Sequence, residues 1–97
     1  MIDRITKNEE RLDKSLESIR ELEKALKNFK ENQKNIKLVN KYYGSKNWFK
    51  DKESYEQGKI SKIKAGVLSE DSVWNMLEDI NDITNEMKKI INDIAKY

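Results

Sequence analysis

No proline interrupts this chain, and its three glycines, Gly44, Gly58 and Gly66, stand close together in the middle. Proline and glycine are the strongest local breakers of a helix, so the stretches before Gly44 and after Gly66 are free to continue unbroken. Lys, Glu, Asp, Ile, Leu and Asn fill them, a set whose preference is mostly helical, and strand signals are weak. The chain therefore reads as all-α, two long arms joined by a punctuated middle.

The arms carry the matching periodicity. In the first, Ile5, Leu12, Ile19 and Leu26 recur every seven residues, Leu22, Phe29 and Ile36 mark the second apolar position, and Leu16 widens the row. Asp3, or Thr6 with Glu9 as a capping box, is the expected start, and Asn32-Gln33-Lys34-Asn35 is the expected weak point. In the second arm Val73, Ile80, Met87 and Ile94 alternate with Met76, Ile83, Ile90 and Tyr97, and Leu77 and Ile91 broaden the row beyond a two-helix seam. Ser69, followed by Glu70 and Asp71 and preceded by Leu68 facing Val73, is a strong N-terminal signal for that helix.

Between the arms, Gly44 suits a left-handed helix cap after Lys41, Ser45 suits the N-cap of a short helix bearing Trp48, Phe49, Lys52 and Tyr55, and Gly58 suits its end. Lys59 to Ala65 reads as an ordered loop pinned by Ile60 and Ile63. Residues 1–39 hold ten basic and eight acidic side chains, residues 40–68 seven and three, and residues 69–97 three and seven, so the arms attract. The expected architecture is a long antiparallel helical hairpin, residues 1–97 as a single helical domain, with the short third helix and the loop packed at the connection.

Composition limits the chemistry. Apolar residues make up 36% and charged residues 39%, against roughly 45–50% and about 25% in ordinary globular domains, so the expected core is thin. The formal net charge of only +2 lets charges pair rather than repel, which favours a folded chain over a disordered one. Histidine and cysteine are absent, which removes the usual general base, the commonest metal ligand and any thiol nucleophile. Neither a glycine-rich phosphate loop nor paired core carboxylates stand out, and Ser45 has no evident base, so the expectation is no enzyme, no cofactor and no metal. No apolar run approaches the roughly 20 residues that span a bilayer and no signal peptide opens the chain, so the expected setting is cytoplasmic, with no membrane partner.

Two short stretches are more specific: Tyr42-Tyr43-Gly44-Ser45 with Trp48 and Asp51, and Gly66-Val67-Leu68-Ser69-Glu70-Asp71. Carrying these, the chain resembles the bacterial family listed as domain of unknown function 4298. The resemblance implies a compact bacterial helical protein and brings no activity, substrate or cofactor with it.

Two surfaces are candidates for binding. Tyr42, Tyr43, Trp48, Asp51 and Tyr55 either plug the end of the hairpin or present hydroxyl and indole donors to a protein partner. Lys59, Lys62 and Lys64 form a basic patch that either stays solvated or meets nucleic acid, with Glu53, Glu56 and the acidic last arm positioned to neutralise it. Glu78, Asp82 and Glu86 read as a solvated acidic face. The leading expectation is a helical interaction module that pairs with itself or with another protein as adaptor or inhibitor, ahead of a nucleic-acid-binding accessory protein and a small-molecule or catalytic site.

Overall fold

A computed structural model describes all residues, Met1–Tyr97. The chain is all-α, with helices α1 (Ile2–Tyr42), α2 (Lys46–Glu56) and α3 (Glu70–Ile94) and a 3-10 turn, Gly66–Leu68, leading into α3. No helix is long and apolar enough to cross a membrane. The chain divides into two compact units, Met1–Ile36 and Lys37–Tyr97.

The first unit is helix throughout, and α1 as a whole is 41 residues, about 60 Å at 1.5 Å per residue. It starts at Ile2, ahead of both expected caps, and Asp3 sits inside the first turn, where its charge suits the positive helix end. Nor does it break at Asn32–Asn35. The Gln33 amide donates to the Phe29 carbonyl (3.3 Å) and the Asn35 amide to Asn32 Oδ1 (2.8 Å), so these polar side chains bond along the helix rather than against it. The apolar row from Ile5 to Phe29 is exposed, each member between 40% and 57% accessible.

The second unit holds the buried side chains Trp48, Leu68 and Val73. Its turns follow the glycines. Gly44 has φ 77° and Gly58 φ 72°, in the left-handed region where a side chain is strained, and each closes the helix before it. At Gly58 the amide donates to the Tyr55 carbonyl (3.1 Å) while Lys59 N–H reaches back to the Ser54 carbonyl (3.0 Å), a Schellman closure. Ser45 Oγ accepts from Trp48 N–H and caps α2; Ser69 Oγ accepts from Ser72 N–H and caps α3.

Two details of this unit differ from the expectations. The residues just before Ser69, to which no element was assigned, form a 3-10 turn, with Leu68 N–H bonded to the Ala65 carbonyl and Ser69 N–H to the Gly66 carbonyl. Helix α3 ends at Ile94, and Tyr97, expected on the apolar row, is fully exposed. Past Ile94 the amides turn back to nearer carbonyls, Lys96 N–H to Asp93 and Tyr97 N–H to Ile94, so the α-helical ladder gives way to tighter turns.

Candidate functional site

The two specific stretches meet. Trp48, on the first turn of α2, is only 4% exposed, and its indole N–H donates to the Val67 carbonyl at 2.9 Å. Tyr43, just past the end of α1, packs edge-on against the indole (centroids 5.1 Å apart, planes at 72°) and donates its hydroxyl to the Glu70 carbonyl in the first turn of α3. One aromatic pair thus fastens the end of α1, the start of α2 and the entrance to α3. Phe49 makes a second edge contact with Trp48 at 4.9 Å, with the rest of its ring largely in solvent.

Tyr42 and Asp51 form a second tie, with the Tyr42 hydroxyl donating to Asp51 Oδ2 at 2.6 Å. That hydrogen bond, then burial, then the Asp51 charge push the phenol up to about 12, because each favours the neutral hydroxyl over the phenolate. Asp51 therefore orients a tyrosine donor. Lys52 supplies the third tie. Its ammonium lies 5.2 Å from the Trp48 ring centroid and 2.7 Å from Glu70 Oε1. The hydrogen bond raises the Lys52 pKa and lowers that of Glu70, so both stay charged across the neutral range.

Of the sequence candidates, Tyr42, Tyr43, Trp48 and Asp51 thus belong to one network of intramolecular bonds. Tyr55 stands apart from it. It lines an open cavity of about 490 Å³ with Lys52, Glu56, Leu68, Ser69 and Glu70. Lys59, Lys62 and Lys64 are exposed on the segment after α2 and form no salt bridge; Glu56, expected to neutralise them, lies 4.0 Å from Lys52 instead. The carboxylates Glu78, Asp82 and Glu86 are all exposed, and no group of three or more acidic side chains is arranged to hold a metal.

Two features escaped the sequence reading. Lys52 was read only as one of the residues spaced along the short helix, since its partner Glu70 lies 18 positions away and no local pattern announces the pair. Trp74 is 56% exposed and, with Leu77, Glu78, Asn81 and Asp82, lines a second open cavity of about 380 Å³. A signal existed here, because Trp74 falls one position after Val73, off the apolar row, where a large aromatic has no core to enter.

The larger apolar surface lies elsewhere. On α3, Ile83, Met87, Ile90, Ile91 and Ile94 are 37–64% exposed, while Val73 at the N-terminal end of the same row is buried. With the exposed row Ile5–Phe29 on α1, this makes two long apolar faces.

No curated protein and no solved structure matches the chain. A family model does match, over residues 5–90, a span that includes both specific stretches and most of both apolar rows. The chain belongs to the family described as Domain of unknown function (DUF4298).

Proposed function

We propose that this protein is a helical protein-interaction module of the bacterial cytoplasm, whose binding surface is its apolar helix faces and whose aromatic stretch is the structural lock that presents them. The observation carrying this reading is the division of labour among side chains. The hydroxyls of Tyr42 and Tyr43 and the Trp48 indole N–H are all bonded within the chain, leaving none of these three donors for a partner. The isoleucines and Met87 of α3, by contrast, are 37–64% exposed in a contiguous row, the composition of a helix face that docks against another helix.

Affinity capture with the tagged chain tests this. Ile83→Glu with Ile90→Glu should retain helicity and lose every specific partner, including untagged copies of the chain itself. Recovery of the same partners by the variant and the wild type would overturn the reading.

A second reading has one observation behind it, the three exposed and unpaired lysines Lys59, Lys62 and Lys64. A nucleic-acid accessory role expects binding that weakens steeply with salt and falls when the three are replaced together by glutamine. No retardation of DNA or RNA at low salt would end it.

A further inference from the structure

Resting on the interaction-module reading, we infer that the apolar row of α3 takes the α1 helix of a second copy of this chain, packed antiparallel. The charges beside the two rows choose an α1 helix as the occupant, and the exposure of both rows points to the α1 of a second copy. Arg4 and Arg11 each immediately precede a row residue of α1, Ile5 and Leu12; Asp79, Glu86 and Asp93 each immediately precede one of α3, Ile80, Met87 and Ile94. In antiparallel helices these edge positions face each other, so arginine meets carboxylate. Placing Arg4 by Asp93 and Arg11 by Glu86 sets Ile5 beside Ile90 and Leu12 beside Ile83, and all four apolar residues are 50–57% exposed.

The other pairings fare worse. Two α3 helices packed antiparallel would set Asp79, Glu86 and Asp93 against their own copies, like charge on like charge. A parallel α1–α3 pair would turn the arginines toward Leu77, Thr84 and Ile91, which offer no charge. The existing salt bridges, Lys52 with Glu56 and Glu70 and Lys89 with Glu86, leave Arg4, Arg11, Asp79 and Asp93 without one.

Width argues for a second copy as well. Leu77 and Ile91 broaden the α3 row and Leu16 the α1 row beyond the narrow seam that one helix covers. With only two long helices in the chain, the additional helices such rows require come from another molecule. A two-fold dimer makes the α1–α3 contact twice with the same residues, a closed and self-complementary arrangement.

Charge exchange between copies tests this directly. One variant carries Arg4→Glu and Arg11→Glu, the other Glu86→Arg and Asp93→Arg; all four positions are exposed, and circular dichroism checks that both remain helical. By sedimentation equilibrium the wild type should be a dimer at high micromolar concentration, and each variant alone should dissociate about tenfold or more readily. Mixed one to one, the variants should form a heterodimer, visible by native mass spectrometry, because each supplies the charge the other lacks. A monomeric wild type overturns the inference, as do variants that dimerise like the wild type or a mixture that stays monomeric. If the wild type is monomeric yet loses a captured foreign partner on Ile83→Glu with Ile90→Glu, the interaction-module reading survives and only the self-pairing falls.

Discussion

The units Met1–Ile36 and Lys37–Tyr97 use their apolar residues in opposite ways. In the first, the heptad residues from Ile5 to Phe29, with Leu16 beside them, are all exposed, and what holds the helix is its own backbone and side-chain bonds along the turn. In the second, only Trp48, Leu68 and Val73 are buried, yet three long-range side-chain bonds, from Tyr43, Trp48 and Lys52, tie the unit to Val67 and Glu70. A regular apolar repeat sets which face a helix will bury, but burial itself comes only where another element arrives. The aromatic junction has its partners within the second unit, and the row residues are exposed.

The sharpest way to break this contrast is to truncate one residue from each side. Trp48→Ala removes a nearly sealed aromatic and its N–H···O bond, so a loss of about 3–5 kcal/mol is expected in thermal or urea unfolding of the second unit. Leu26→Ala, at 49% exposure, should change the stability of the dilute protein by less than about 0.5 kcal/mol. Equal effects would erase the distinction between junction and row.

The next effect is in pH. The folded-state pKa of Tyr42 is raised to about 12, so its contribution to stability is whole below its ordinary value of 10.0 and is lost as pH climbs from there through about 12. Tyrosinate absorbance should show a late-titrating phenol that Asp51→Ala, which removes the acceptor and its charge, brings down. Glu70 works in the opposite sense. Its pKa is lowered, so the link to Lys52 is intact above the ordinary value of 4.5 and disappears as pH falls below it.

Smaller steps refine the junction. Gly44→Ala forces a side chain into φ 77° with nothing nearby to clash, so the cost is the backbone strain alone, about 1–2 kcal/mol. Trp48→Phe keeps a ring and loses the bond to Val67, and a loss of about 1 kcal/mol or somewhat more is expected, since the carbonyl is left without that donor. Chemical denaturation monitored by circular dichroism resolves all of these.

Much of the local structure was legible because it is governed by neighbours in sequence. Gly44 and Gly58 stop helices, Ser45 and Ser69 start them, and the bounds of the short helix follow. The heptads disclosed the long helices for the same reason. The cross-links were not legible, since Tyr43 to Glu70 spans 27 positions and Trp48 to Val67 spans 19, and whether a tyrosine or tryptophan donor ends on a backbone carbonyl or faces a ligand depends on where a distant turn is brought. The 3-10 turn at Gly66 and the early end of α3 escaped for a related reason, being decided by hydrogen bonds at element ends where propensities differ little. Both specific stretches were singled out from the residues alone, whereas the tie between them emerges only from the fold.

Amide hydrogen exchange followed at low and high protein concentration tests the contrast most directly. The amides around Trp48 and in the first half of α3 should be protected at both, and those between Ile5 and Phe29 should exchange quickly when dilute and become protected as the concentration rises. Protection of residues 5–29 that is already complete at low concentration and does not change would contradict it, because the row would then have its cover within a single chain.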